Sequence, residues 1–526
     1  MKVKLAFFIL TGLMIAVYAQ DSLWAVWDTS YLFDPTNLDV ETLWVGDTGI
    51  SGVEFTIGEI RFTSRDFDDE PIRIQAYFAD RGGAREPAVV VGHGLGGHGS
   101  VEHALSVAVL TSGLGISISA PGDGDSEGHG PDPENWVSTI PNPANTWLCR
   151  YVQAAVRAMT YALSLPQVDS AWVGYIGASA GGLMTFLASA IDRRCSFAFP
   201  IFACGEWERA VECENSWIAV FFGDSISPDD ERIVRLRNYF DPAAYYHWHD
   251  VPTFLSIGAQ DEFFPIYSLT EFWANYDHFL ARLQVAANMD HMTYFGPDSE
   301  YSGRYDSFDN SSHYFEIHTT TMTSFWLALK NGWDIPRMPI AEAEYSDGTL
   351  HITAQIDEFF ALGTVKVWVS VDTGWTFQDY SMSPSLTGEF TADVPLPAGF
   401  DLSNTIFFVE ANAAGFDFTS NPYVPIPVKV RPSPHEDAVE ESHLPPAVEV
   451  RISPNPFNGA CSITLPGDGR THLVEIFDLG GRLVRQWAAA HRVVWDGTDM
   501  TGKNCPSGTY FVVVDRLRRI PVALVR

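Results

Sequence analysis

Between residues 88 and 258, short apolar runs alternate with helical stretches, punctuated by glycine and proline. The runs are AVVVGHG (88–94), GISISAPG (115–122), WVGYIG (172–177), FAFPIF (197–202) and TFLSIG (253–258). Between them lie segments such as Trp147–Leu165, where Tyr151, Ala154, Val156 and Met159 mark a helical apolar stripe. Strands apolar on both faces and separated by helices predict a mainly parallel sheet with helices covering both sides. Ahead of them, residues 53–80 alternate apolar and polar, which predicts antiparallel strands around a polar turn at Asp66–Glu70.

After about residue 335 the helical period stops. TLHITAQI, TVKVWVSVD and NTIFFVEANA, with turns such as Asp372-Thr373-Gly374, predict an all-β sandwich over 336–430. RPSPHEDAVEESHLPPA (431–447) joins prolines to acids without an apolar period and predicts a linker. Residues 448–526 read as strands again: VEVRISPNPF, SITLP, HLVEIFDL, RVVWDG and TYFVVVD. The α/β part is then 20–335, because residues 1–19 carry a different signal. Lys2 and Lys4 precede the apolar run Leu5–Ala16, and Val17-Tyr18-Ala19 supplies a small-x-small site. That is the pattern of a cleaved secretory leader, the alternative being an N-terminal anchor.

Export implies an oxidising compartment, where the even count of six cysteines permits disulfides. Cys461 and Cys505 fall together in the last domain; Cys149, Cys195, Cys204 and Cys213 allow three pairings. No C-x-x-C occurs, so neither a zinc ribbon nor a redox motif is indicated. The formal net charge of −34 argues against nucleic-acid or anionic-membrane partners.

Gly177-Ala178-Ser179-Ala180-Gly181 is a G-x-S-x-G set between the run WVGYIG and the helical GGLMTFLASAI. A serine on such a strand-to-helix elbow is a nucleophile candidate, and its close-packed neighbours must be small. Its hydroxyl needs a base and a carboxylate that orients the base. In this arrangement they follow in the order serine, acid, histidine, each just after a strand. TFLSIG runs into Ala259-Gln260-Asp261, which puts Asp261 at the carboxyl end of that strand, with Glu262 a weaker candidate beside it, and His291 follows in VAANMDHMTYF. For the oxyanion, Ala180 N–H is one expected donor. The second is expected from His93-Gly94-Leu95-Gly96-Gly97, the loop after the third strand of such a sheet. Leu95 N–H is the first choice there and Gly94 the next. Gly92-x-Gly94-x-x-Gly97 also loosely fits a dinucleotide loop, but no acidic residue follows in the required place.

Together, VVVGHGLGG, SAPGDGDSEG, YIGASAGG, VPTFLSIGAQDEFFP and NMDHMTYF resemble the α/β-hydrolases of the dienelactone hydrolase, acetyl xylan esterase and prolyl oligopeptidase clan. DPAAYYHWHDVPTFLSIGAQDEFFP is also similar to the PhoPQ-activated pathogenicity-related proteins. The resemblance covers residues from about 50 to 332. It implies a serine hydrolase working through an acyl-enzyme, without metal or organic cofactor. SAPGDGDSEG stands where the clan has a D-x-x-G-x-G-x-S stretch after the fourth strand. Here Ser119-Ala120-Pro121 departs from the usual aspartate. A propeller ahead of the α/β part is not expected, because only about 70 residues separate the expected mature start from the glycine loop, too few for one.

ISPNPFNGACSITLP, VEIFDLGGRLVRQW and VVWDGTDMTGKNCPSGTYFVVV resemble a type IX secretion sorting domain. Asn455, Pro456, Phe457, Asn458, Trp495, Asp496, Gly497, Ser507, Gly508 and Tyr510 carry the likeness. It implies an immunoglobulin-like module, the type IX machinery as partner and a Gram-negative source.

The expectation is therefore an α/β-hydrolase followed by two β-sandwiches, secreted to the cell surface or beyond. Its expected substrates are small-molecule or carbohydrate esters. An exopeptidase or amidase on the same residues is the alternative within enzymes, and a non-catalytic surface binding protein the alternative outside them. Trp207, Trp217, Phe221, Phe222, Tyr245, Tyr246 and Trp248 are candidates for a lid or pocket rim, or for packing. Trp368, Trp375, Phe377 and Tyr380 are candidates for a carbohydrate face or for core.

Overall fold

The computed structural model describes residues 26–424 and 451–524 apart from short segments, the longest being 292–306, 398–403 and 466–470. The expected leader (1–19) and linker (431–447) lie outside the described residues, as do Asp372, Thr373, Trp375, Asn455, Pro456, Asn458 and Ser507. The chain divides into two units, Met1–Arg431 and Pro432–Arg526.

The first unit is organised by nine strands: β1 Glu41–Ile50, β2 Val53–Arg65, β3 Pro71–Asp80, β4 Glu86–Gly92, β5 Leu114–Ile118, β6 Val168–Ala178, β7 Phe197–Ile201, β8 Thr253–Gly258 and β9 Ala281–Ala286. They form one sheet in the order β1-β2-β3-β5-β4-β6-β7-β8-β9. β1, β2 and β3 pair antiparallel, and β3 meets β5 antiparallel. Every pairing from β5 onward is parallel. This is the α/β-hydrolase fold with one additional strand at its edge. β1 leaves no mark in the sequence because none of its residues is buried, so no apolar face repeats. Its presence moves the glycine loop to the end of the fourth strand and SAPGDGDSEG to the end of the fifth. The parallel strands were legible because both their faces are covered; β4, β5 and β8 are buried at every position.

The order in which strands join the sheet reverses at β4. Its connection leads to β5 on one side, and the chain then returns across the sheet to β6 on the other. A crevice opens at the carboxyl ends of strands at such a switch point, and open α/β sheets bind ligands there. The helix Trp147–Ser164 packs behind it and is buried nearly all round, Arg150, Gln153 and Arg157 included. Its outer side is covered by the N-terminal segment. The Arg157 guanidinium donates to Tyr31 O (2.9 Å), Asp34 O (2.6 Å), Asn37 Oδ1 (2.5 Å) and Thr63 O (3.3 Å). Those acceptors let a cation sit inside the fold.

The segment 340–424 forms two four-stranded antiparallel sheets that enclose an apolar core around Ile352, Val367, Val394 and Val409. It shares buried surface with the α/β part, since Phe377, Ile406 and Phe408 belong to the same core as β8 and β9. Thr419 Oγ1 accepts Val285 N–H (3.1 Å), so the sandwich also covers the open edge of β9. In the second unit, three- and four-stranded antiparallel sheets enclose Trp495, Ile463, Val474, Val512 and Val522. Two of its strands, Leu483–Ala489 and Arg518–Leu524, were not anticipated. All six cysteines are unbridged thiols.

Candidate active site

Ser179 follows β6 directly and precedes the helix Ala180–Ile191. Its φ of 59° and ψ of −120° lie outside the ordinary regions for a non-glycine residue. The turn is held by Ser179 N–H donating to Ile201 O (2.9 Å) at the end of β7. The glycines around it are needed for close approach. A Cβ on Gly181 would lie 2.3 Å from Gly92 O, and one on Gly177 would lie 2.4 Å from Gly181 O. One on Gly182 would lie 2.6 Å from Ile201 O. The elbow helix thus sits against the backbones of β4 and β7, which no side chain would allow.

Asp261 and His291 converge on this serine from the ends of β8 and β9. His291 Nε2 lies 2.8 Å from Ser179 Oγ, and His291 Nδ1 lies 2.8 Å from Asp261 Oδ2. A carboxylate only accepts, so Nδ1 carries the proton and Nε2 accepts the serine O–H. Asp261 is held by its other oxygen, which accepts the N–H groups of Phe263 (3.1 Å) and Phe264 (2.9 Å). Glu262 takes a different place: its Oε2 accepts the backbone N–H of His291 (3.2 Å). Asp261 and His291 are buried, while Ser179 is only half-buried and open to a ligand.

The rings of Phe263, Phe264 and Phe202 lie 4.8, 5.6 and 5.7 Å from that of His291. Burial among them disfavours the imidazolium. The charge and hydrogen bond of Asp261 outweigh it, helped by Glu262 and Asp290, and the His291 pKa is raised above the ordinary value. Phe202 was not anticipated as a site residue. It holds φ at 49°, uncommon for a bulky residue, and so turns its ring toward the histidine from the end of β7.

Ala180 is the first residue of the elbow helix, where N–H groups lack an intrahelical acceptor. Gly94 faces the serine: a Cβ there would sit 3.4 Å from Ser179 Cβ and 3.9 Å from Oγ. Gly94 O is held by Gly97 N–H (3.0 Å) and by His93 Nδ1 (2.8 Å). His93 Nε2 in turn accepts Ala120 N–H (2.9 Å), and Tyr151 O–H donates to His93 O (3.0 Å). Across a trans peptide, fixing Gly94 O fixes Leu95 N–H on the opposite side. Burial pushes the His93 pKa down to about 4, so its ring is neutral and can both donate and accept. The departure at Ser119-Ala120-Pro121 therefore leaves a backbone N–H with a definite task.

Three of the seven candidate rim residues fall in the core, and Phe221, Phe222, Tyr246 and Trp248 are half-buried against it. Trp207, Trp217 and Tyr245 are buried, and Trp207 and Trp217 meet edge to face at 4.8 Å. Trp136, itself buried, stacks on Trp147 at 4.6 Å and on Phe221 at 5.5 Å. In the sandwich, Phe377 is core and the Trp368 indole donates to Glu410 (2.8 Å).

A sequence model of the acetyl xylan esterase family (AXE1) matches residues 71–296. That span includes Ser179, Asp261 and His291 and is less than half of the chain. No curated protein matches. The chain is similar to acetyl xylan esterase 1 from Thermoanaerobacterium sp. JW/SL YS485, with 15% identity over 58% of this chain and 93% of that one, TM-score 0.44. The acetyl xylan esterase from Paenibacillus sp. R4 has 19% identity over 52% and 90%, TM-score 0.43. The Pyrococcus horikoshii acylaminoacyl peptidase has 13% identity over 52% and 41%, TM-score 0.37.

Proposed function

We propose that this chain is a carboxylic ester hydrolase acting through an acyl-enzyme, with acyl esters of carbohydrates as its substrate class. The observation that carries the reading is the unbroken line from Ser179 Oγ through His291 to Asp261. The match to the acetyl xylan esterase family supports the ester as the bond cleaved. Ser179 Oγ attacks the acyl carbon while His291 Nε2 takes its proton. The oxyanion is stabilised by the N–H groups of Ala180 and Leu95, with Gly94 lining the approach. His291 then protonates the departing alkoxide. A water gives its proton to His291 and adds to the acyl carbon; the bond to Ser179 Oγ then breaks, His291 returns the proton to Oγ, and the acid leaves. Asp261 holds the tautomer and stabilises the imidazolium.

The test is turnover of aryl esters of increasing acyl length and of acetylated xylo-oligosaccharides, beside aminoacyl anilides. Ester turnover with short acyl groups is expected. Faster turnover of the anilides would overturn the reading in favour of a peptidase.

The pH profile follows from the raised His291 pKa. The base works only when neutral, so kcat/KM falls as pH drops through a midpoint above the ordinary imidazole value of about 6.5. A midpoint below that value would show that Asp261 does not govern the base.

His93 is a positioning residue in this mechanism. His93→Phe keeps a ring but loses both hydrogen bonds, so the Gly94–Leu95 peptide is held by Gly97 N–H alone. Steady-state kinetics should show kcat reduced by up to about 10²-fold with KM little changed, because the donor acts on the oxyanion and not on the bound ester.

Residues 1–19 are read as a leader and 448–526 as a sorting module engaging the type IX machinery. That reading puts the enzyme outside a Gram-negative cell. In support, the motif residues Phe457, Trp495 and Tyr510 pack together at 5.3 and 4.9 Å. A reporter fused to 448–526 should reach the medium or cell surface only when that machinery is intact.

A further inference from the structure

The loop that carries His291 is tied to the middle sandwich through the side chain of Asn288. Its Nδ2 donates to Phe377 O (2.9 Å), and its Oδ1 accepts Phe377 N–H (2.9 Å). This two-way grip on a backbone resembles a ladder rung, made here by a side chain. Phe377 is well anchored: it immediately precedes the sandwich strand Gln378–Ser381, its ring is buried, and it packs on Phe408 at 5.4 Å.

Asn288 Oδ1 also accepts from Gln260 Nε2 (3.1 Å). Gln260, next to Asp261, closes the arrangement. Its Oε1 accepts Met289 N–H (2.8 Å), and its own N–H donates to Met289 O (2.9 Å). The acid loop, the histidine loop and the sandwich therefore meet at Asn288, three residues before His291. The residue holds φ at 56°, a conformation that asparagine tolerates better than most side chains.

We propose that the 340–424 sandwich is part of the catalytic apparatus, with Asn288 as the positioning residue through which it aligns His291 on Ser179. The inference rests on the hydrolase reading above. Its physical content is that a general base displaced by about 1 Å loses on the order of 10²-fold in rate. The sandwich is a brace for the histidine loop, whatever else its outer surface does.

Asn288→Gly separates the bonds from the backbone, because glycine keeps φ at 56° at no cost and supplies no side chain. In the full chain, this variant should turn over an aryl acetate with kcat lowered ~10–100-fold and KM within about 2-fold. Its acidic limb should move down in pH as His291 loosens from Asp261. Hydrogen–deuterium exchange over 287–291 should rise while the rest of the sheet stays protected. Asn288→Asp keeps the acceptor for Phe377 N–H and Gln260 but sets a carboxylate oxygen against Phe377 O in place of the donor, so it too should lower kcat with KM little changed. It also serves should the glycine variant fold poorly.

Wild-type kcat and an unmoved acidic limb in folded Asn288→Gly would overturn the proposal, with or without a change in exchange. Failure of the wild type to turn over any ester would instead strike the hydrolase reading. Turnover by the wild type distinguishes the two cases: the first outcome requires it, and the second is its absence.

Discussion

Asp261→Asn is expected to lower kcat about 10⁴-fold while leaving the fold intact. The asparagine is isosteric, and its amide oxygen can still accept the Phe263 and Phe264 N–H groups that now hold Oδ1. Its NH₂ group then faces His291 Nδ1 at the place where Oδ2 accepts the Nδ1–H hydrogen bond at 2.8 Å. The imidazole is driven to the other tautomer, with Nε2 protonated, and can no longer accept from Ser179. The positive form also loses its counter-charge, so any residual acidic limb should lie lower in pH than in wild type. Glu262→Gln is the control. Glutamine can still accept the His291 backbone N–H, so a loss below about tenfold is expected. Near-equal effects of the two substitutions in steady-state kinetics would mean that the acid had been assigned to the wrong neighbour.

The second large effect is on stability. Gly181→Val places a branched side chain where even a Cβ would lie 2.3 Å from Gly92 O and 2.9 Å from His93 O. Both neighbours are backbone, at the end of β4 and in the glycine loop that follows it, and neither can move without disturbing the sheet. Overpacking in a core that can relax costs ~1–3 kcal/mol, and this site cannot relax. A loss of about 3 kcal/mol or more is expected, seen as a lower denaturant midpoint or as failure to accumulate folded protein. Gly96→Ala is the contrast, because a Cβ there meets nothing within 4 Å. Only the strain of its φ of 73° opposes that change, and a cost of about 1 kcal/mol is expected.

What could be read from the chain was what repeats locally. The buried runs of β4 to β8 announce themselves because a parallel strand is apolar on both faces. The elbow announces itself because the turn demands Gly177, Gly181 and Gly182 around one serine. Asp261 and His291 were found by their order after strands, and the structure brings both to Ser179. The remainder depends on pairings across the chain that leave no local pattern. β1 has no buried face to repeat. His93 is one more loop residue until Ala120, 27 positions away, is seen to donate to its ring. Asn288 reads as a turn residue until Phe377, 89 positions away, is seen against it. Phe202 looks like any strand-end aromatic until its positive φ shows that the ring is aimed. For the same reason the sandwich read as a separate appendage, since a shared core between distant segments does not alter the pattern of either.

The central claim is that Ser179 is a nucleophile activated by His291. The most direct measurement is labelling of the full-length protein with a fluorophosphonate, followed by mass-spectrometric location of the adduct. Wild type should carry one label, on Ser179, that forms more slowly as pH falls through the His291 titration. Ser179→Ala should carry none, and His291→Ala should label only at a rate lowered by several orders of magnitude. A label on another residue, or equal labelling of wild type and Ser179→Ala, would contradict the account.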